Sequence, residues 1–329
     1  MNDDSAEDLF SVPGRNVLVV GVGTVGGRVA AAGALDDACA EAPERVLWYA
    51  LHSDPAELIA TGLDKKLLVT LAPGPFAARS AAGGVAVHKA ELAAACAGRS
   101  AALLVGVLGE DVVTAVLPLL ARALRENGLS VCVILTGPLW SEAPAQSDDI
   151  RAALEQVEKE AELVIRFPTE ALVGAFLDGS ATVLCAEVKS RLLAAAQALS
   201  GALRGGTGNS VPLRALRDGM PGAGPLSAGL GIAAGPHAAR LALEAAQSSV
   251  AGAGPVTGAG AVLLTKRELT VAEAKSARQC LEQAWTGRKA PLLALATRST
   301  LDDEAVCVVV VRVSRPRPSF RCAEIPHLT

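Results

Sequence analysis

Short runs of Val and Leu alternate with Ala-rich stretches along the first half of the chain, and the hydrophobic period changes from run to run. Residues 17–21 (VLVVG) make an apolar run of strand length that ends in glycines, and a helical pattern follows from about Gly26 to Cys39. Further apolar runs at 46–51 (VLWYAL), 101–106 (AALLVG), 130–136 (SVCVILT) and 162–167 (ELVIRF) read as strands. Helical stretches lie at 87–97, 112–128 and 149–161, and the segment after the second strand reads as a loop. Strands that are apolar on both faces and separated by helices predict a parallel sheet covered on both sides.

From 181 to 204 the pattern is helical for longer, and RGGTGNSVP stops it. Beyond this point the order changes. A Gly-rich apolar stretch at 221–235 precedes a helix at 237–249, a strand at 260–266, a helix at 271–285 and two consecutive strands at 291–299 and 305–313. The expected fold class is therefore α/β. A Rossmann-like parallel-sheet domain spans 15–180, a central helix 181–204, and a smaller α+β, mixed-sheet C-terminal domain 205–314. An N-terminal segment at 1–14 and a Pro-containing tail at 315–329 flank them.

Composition narrows the functional classes. Hydrophobic residues make up 51% and charged residues 19% of the 329, which excludes disorder for most of the chain, and aromatics at 3% leave Ala, Val and Leu to build the interior. The net charge of -4, without any Lys/Arg run interleaved with aromatics, argues against nucleic acid as a partner. Seven cysteines, odd in number and without CxxC spacing, read as small core residues in a reducing compartment rather than as disulfides or a zinc site. The N-terminus MNDDSAEDLFS is acidic and lacks the pattern of a signal peptide. Glu110 and Asp111 interrupt the longest apolar candidate for a membrane span. The expected location is the cytoplasm, with membrane contact only through a partner. His52, His88, His237 and His327 are too dispersed for metal ligation, and Trp48, Trp140 and Trp285 read as core or interface anchors.

Candidate chemistry is concentrated in the first glycine loop. Gly21, Gly23 and Gly26 fit GxGxxG after a strand, and Gly27 extends it. Two physical reasons can demand glycine there: close approach of backbone N–H groups to a phosphate, or close packing of a helix on a strand. A nicotinamide-dependent oxidoreductase is one reading, because GVGTVGG resembles the first loop of homoserine dehydrogenases. It needs an acid for the ribose about 20 residues on, whereas Asp54 follows Gly26 by 28. No Lys and Asp pairing suits hydride chemistry.

A second resemblance covers nearly the whole chain. VLVVGVGTVGGRVA, WYALHSDPAEL and ALLVGVLGEDVVTAVLP are similar to the first, second and fourth nucleotide loops of the FtsZ/tubulin superfamily. The likeness continues through SVCVILTGPLW, ELVIRFPTEAL, GPLSAGLGIAAGPHAARLALEAAQSS, AVLLTKRELTVAEA and APLLALATRSTLDDEAVCVVVVRVS. It implies a tubulin/FtsZ-like fold, with a GTPase domain, a long central helix and a C-terminal domain. It further implies end-to-end self-association and work in membrane remodelling or cell division. Gly21, Gly23, Gly26, Gly27, Asp54, Gly109 and Thr114 stand in positions compatible with the family's nucleotide contacts, as vestigial cofactor-binding residues.

The departures from the family pattern point away from catalysis. Set without gaps, the signature GGGTGTG falls on Gly109, Glu110, Asp111, Val112, Val113, Thr114 and Ala115. At an effective dielectric of about 20, one carboxylate at about 4 Å from a phosphate costs about 4 kcal/mol before screening. Glu110 and Asp111 are expected to cap a helix beginning at Val112, in which case their side chains take the ligand's place. The family's water-positioning NxDxxD falls on Ser210 to Ala215, where Pro212 and Ala215 cannot polarise water, and Asp218 lies three positions beyond the last acid. Ala186 to Arg191 lacks the Phe and Asn of the guanine contacts. These losses imply a pseudo-GTPase with no catalytic residue, no metal and no cofactor, whose partner is itself, as a dimer or filament, or another protein. A GTP- or GDP-binding relative with unorthodox loops and the NAD(P)-dependent oxidoreductase stand as alternatives.

Overall fold

A computed structural model describes residues 16–38, 46–72, 77–137, 147–168, 181–204, 213–220, 225–250, 256–285, 291–298, 301 and 304–313. In the first half, β1 (Asn16–Val22), α1 (Gly23–Ala38), β2 (Val46–His52), α2 (Pro55–Ala60) and β3 (Lys66–Leu68) come in that order. They are followed by α3 (Ala77–Val87), α4 (Lys89–Cys96), β4 (Arg99–Val107), α5 (Asp111–Glu126), β5 (Ser130–Thr136), α6 (Ser147–Glu160) and β6 (Leu163–Phe167). The long helix α7 (Ala181–Arg204) leads to α8 (Leu213–Gly219), β7 (Leu226–Ala234), α9 (Ala238–Val250) and β8 (Val256–Thr265). The described chain closes with α10 (Val271–Ala284), β9 (Leu292–Thr297) and β10 (Glu304–Val313).

All ten strands join one sheet in the order β3-β2-β1-β4-β5-β6-β7-β10-β8-β9. Every pairing is parallel except those of β10, which runs antiparallel to β7 and β8. The two halves meet where β6 pairs with β7 through Ile165↔Leu226 and Arg166↔Ser227.

The strand period of two divides the apolar runs between two cores. Val17 and Val19 of β1 face one cluster, and Leu18, Val20 and Val22 face the other, so both faces must be covered. Helices α5 and α6 contribute Val113, Leu117, Leu120 and Val157 to the second cluster. Helix α7 crosses the first face and buries Leu184, Val188, Leu192, Leu199 and Leu203 against strands of both halves, among them β4 and β10.

A buried ion pair reinforces that junction. Arg298, just after β9, pairs with Asp37 of α1 at 2.9 Å, with side chains only 3% and 5% exposed. Asp37 also accepts from Trp48 Nε1 at 2.6 Å, and the adjacent Asp36 accepts from Gln197 of α7 at 2.7 Å. Trp285 packs half-buried against the C-terminal core, whereas Trp140 lies outside the described residues.

Several elements go beyond the sequence reading. Strand β7 is hidden there because its glycines dilute the hydrophobic signal. They are required by α9: a Cβ on Gly231 would come within 1.9 Å of the Ala242 carbonyl oxygen, and one on Gly229 within 2.2 Å of that of Ala246. The segment taken as a loop after β2 holds α2, β3 and α3, and α8 follows the central helix, all too short or too Ala/Gly-rich to show a period. Helix α1 starts at Gly23, three residues before the expected Gly26. No helix among the described residues is long and apolar enough to cross a membrane, and none of their His, Cys, Asp or Glu groups could hold a metal ion.

Candidate functional site

The strand β1 and helix α1 are joined without a loop. Gly23 turns the chain at φ +80°, a conformation that an L side chain rarely adopts, and is already the first helical residue. Gly21 and Gly26 sit back to back where the helix leaves the sheet. A Cβ on Gly21 would meet the Gly26 carbonyl oxygen at 1.8 Å, and one on Gly26 would meet that of Val105 at 2.5 Å. A Cβ on Gly27 would make only ordinary contacts, at 3.4 Å from Thr61 Cγ2 and 3.8 Å from Ala50 Cβ. Strand–helix packing therefore accounts for Gly21 and Gly26 without any ligand.

On the neighbouring strand, β4 turns into α5 through Gly109 at φ +101° and Glu110 in extended backbone. Helix α5 begins at Asp111, one residue earlier than expected, so Glu110 occupies its N-cap position. The side chain of Glu110 nevertheless makes no capping bond to its own helix. It reaches across to α1, where Oε2 accepts the Thr24 N–H at 2.6 Å. The neighbouring Val25 N–H and Thr24 hydroxyl also favour the charged form of this carboxyl group. The first N–H groups of a helix have no partner within it, and the helix dipole favours negative charge beside them. Gly23 makes room for this contact, since a Cβ there would lie 2.3 Å from Glu110 Oε2. The expectation that Glu110 caps α5 is thus corrected: its carboxyl caps α1. Asp111 is exposed in the first turn of α5.

Burial pushes the Glu110 carboxyl above its usual range; the Thr24 and Val25 groups oppose that shift, and the charge of Glu57 adds to it. Behind Thr24 stands His52, at the end of β2. The Asp54 N–H donates to His52 Nδ1 at 2.8 Å, and His52 Nε2 lies 3.2 Å from Thr24 Oγ1. Burial holds the His52 imidazolium pKa below its usual value, against the raising effect of Glu57 and Asp54. At the rim, Arg28 pairs with Glu57 at 3.4 Å.

The remaining sequence candidates have local roles. Asp54 caps α2, its Oδ1 accepting the Ala56 N–H at 2.8 Å. Thr114 lies half-buried in the first turn of α5, its N–H donating to the Glu110 carbonyl at 3.0 Å. Of the segment matched to the catalytic acids, 210–212 lie outside the described residues, Leu213 is buried, and the neighbouring Asp218 is exposed beside Arg217 at 3.3 Å. In the stretch matched to the guanine contacts, Arg191 pairs with Glu187 along α7. Thr24 and His52 are members of the site that the sequence reading did not single out. Their placement at a helix start and a strand end, facing the crevice at the strands' carboxyl edge, is the signal that could have found them.

The N–H groups of Thr24 and Val25 form the kind of seat that holds a phosphate. With Glu110 seated on the Thr24 N–H, the residues do not fit one: a phosphate oxygen at that donor would have to occupy the place of the carboxyl oxygen.

No family model matches the sequence, and no curated protein does. Solved structures match it closely in shape. A point mutant of FtsZ from M. jannaschii gives a TM-score of 0.74 at 17% identity, over 91% of this chain and 91% of that one. An FtsZ dimer from the same organism, described as empty, gives 0.75 at 17% identity, over 91% of this chain and 88% of that one. CetZ from Methanosaeta thermophila gives 0.70 at 17% identity, over 92% and 87% of the two chains. CetZ2 from Haloferax volcanii, described as a GTPγS-bound protofilament, gives 0.66 at 18% identity over 90% and 92%. Identities this low speak to architecture, and the architecture agrees across nine-tenths of the length. The chain is built on the tubulin/FtsZ fold that its sequence resemblance implied.

Proposed function

We propose that this chain is an FtsZ-like structural protein that has lost GTP hydrolysis and most GTP binding. It works through protein contact, with another copy of itself or with a partner, across the face that carries Glu110 and the surface of the C-terminal half. The observation that supports this most directly is the Glu110 carboxyl group seated on the Thr24 N–H at the start of α1. A phosphate brought to about 4 Å from it loses about 4 kcal/mol at an effective dielectric of about 20, roughly a thousandfold in affinity. Self-association draws support from two neighbours in fold, one described as a dimer and one as a protofilament.

In this reading Gly21, Gly23, Gly26, Gly27, Asp54, Gly109 and Thr114 are vestiges of a nucleotide site, now kept for packing, turning and capping. The division into a Rossmann-like body at 15–180, a central helix at 181–204 and a C-terminal domain at 205–314 belongs to the same proposal, as do membrane remodelling or cell division as the setting. The test is to denature the purified protein and chromatograph the supernatant, then to sediment the protein with and without GTP. No released nucleotide and equal pelleting are expected. Stoichiometric guanine nucleotide or GTP-dependent pelleting overturns the reading, and released nicotinamide cofactor favours the oxidoreductase instead.

A further inference from the structure

The sheet ends in two unlike edges. At one of them β3 is three residues long and follows Asp64 and Lys65 into Lys66, and a short, charged edge strand resists further pairing. At the other, β9 runs for six residues, LLALAT, without a charge or a proline. Its inner side pairs with β8 in one unbroken parallel register, and the Arg298 N–H that follows it donates to the Thr265 carbonyl at 2.9 Å. Successive residues of a strand turn their polar groups to opposite sides. Ala294 and Ala296 therefore bond toward β8, while Leu293, Leu295 and Thr297 direct N–H and C=O to the open edge. None of these outward groups has a hydrogen-bond partner among the described residues. The side chains of Leu293 and Leu295 are half-buried beside the C-terminal core, and Thr297 is exposed.

We propose that β9 is a dimerisation edge whose occupant is β9 of a second copy, running antiparallel about a two-fold axis through Leu295. In this register Leu295 faces its own copy and Leu293 of each chain faces Thr297 of the other, so every outward N–H meets an outward C=O. On one face Ala294 lies across from Ala296, small against small; on the other the half-buried leucines cover each other. Pro291, which has no N–H to give, ends the ladder just before the strand. The flanking sequence favours the same polarity. It is basic at 288–289 and acidic at 302–304, so antiparallel copies present opposite charges to each other where parallel copies would present like ones. This contact goes beyond the proposed function: it closes on itself as a two-fold pair and uses nothing from the face of Glu110.

The experiment follows the full chain by sedimentation velocity over a range of concentrations without nucleotide. A monomer–dimer equilibrium with Kd on the order of 10 µM is expected, because so short a ladder buries less than a standard interface. Leu295→Lys and Leu295→Glu each set like charges opposite one another at the axis and should weaken the dimer about tenfold or more, whereas an equal mixture of the two variants should restore it by opposite charge. Only a contact in which residue 295 meets its own copy gives that rescue. Thr297→Pro removes an outward N–H that the fold does not use and should weaken the dimer about tenfold, while Thr297→Val leaves it unchanged. Should a Leu295 variant fail to fold, this pair decides. Leu68→Lys, on the β3 edge, should have no effect. A chain that stays monomeric, a dimer indifferent to Leu295→Lys or Thr297→Pro, a dimer weakened by Leu68→Lys, or folded charge variants whose mixture stays monomeric overturns the pairing and leaves the proposed function standing. Guanine nucleotide released from the natural chain overturns the proposed function and leaves the pairing untouched.

Discussion

Gly26→Ala should destabilise the protein and Gly27→Ala should not, although the two residues are neighbours in α1 and both belong to the glycine-rich signature. A methyl on Gly26 would lie 2.5 Å from the Val105 carbonyl oxygen and 3.1 Å from the Gly21 carbonyl carbon, both backbone atoms of central strands. A relaxed carbon–oxygen contact is about 3.3–3.6 Å, so α1 must rise from the sheet by about 0.8–1 Å. A gap of that size forfeits a quarter to a half of the dispersion energy of the atoms facing it, which include the buried Val25, Val29 and Ala30. Overpacking of this kind costs about 1–3 kcal/mol or more, and the gain of alanine over glycine inside a helix returns about 0.5–1 kcal/mol. The net loss expected for Gly26→Ala is about 1–2 kcal/mol. At Gly27 the added methyl meets only van der Waals contacts, so the helix gain stands alone and the variant should be more stable by about 0.5–1 kcal/mol. Urea unfolding of both variants beside the parent, compared at constant m, measures the two shifts. If Gly26→Ala is as stable as the parent, or if both variants lose the same amount, packing is not what these glycines serve.

Two further perturbations follow from the same geometry. Burial raises the Glu110 pKa above its ordinary 4.5, so its favourable contribution is full below about 4.5 and is lost as pH rises through the folded value. The natural chain should therefore gain stability relative to Glu110→Gln as pH falls through the folded value and level off below about 4.5; a pH-independent difference in denaturation midpoints refutes the assignment. Asp37→Ala removes the nearer carboxylate partner of the buried Arg298, leaving Asp36 at 4.0 Å, and removes the acceptor of Trp48 Nε1, with an expected loss of about 3 kcal/mol in urea unfolding. Adding Arg298→Met should recover part of it, and strictly additive losses would show that the two do not interact.

The strands buried on both faces are legible in the sequence because a parallel sheet wrapped by helices needs uninterrupted Val and Leu, as in β1, β4 and β5. Helix α7 is legible from length alone. Strand β7 is not, because the closeness of α9 forces glycines at 229 and 231 and erases the hydrophobic alternation. At the site, the alignment places two acids in the phosphate loop, but hydrophobic patterning carries no information about which helix an N-cap side chain will serve. Glu110 turns to α1 because Gly23 leaves space and the Thr24 N–H is free to bond, a relation between positions 86 residues apart. His52 was hidden for a related reason. Scanning histidines along the chain for ligand spacing ignores that strand ends meet at one edge of a parallel sheet.

The two carboxylates that matter most in this molecule hold the same helix from opposite ends. Glu110 satisfies the Thr24 N–H at the start of α1, and Asp37, near its last turn, ties it to Arg298 beyond β9 and to Trp48 of β2. Asp36 adds a bond to the central helix through Gln197. A ligand present at a hundred times its Kd would stabilise such a fold by about 2.7 kcal/mol, and only while it was bound. Hydrogen bonds to a charged group contribute about 1.5–3 kcal/mol each, and at Glu110 the cost of burial, which pushes its pKa up, offsets them. The difference lies in its independence of concentration: a tethered carboxylate cannot be hydrolysed or exchanged. Under the proposed function, an assembly built on this face responds to protein concentration and salt in place of a triphosphate.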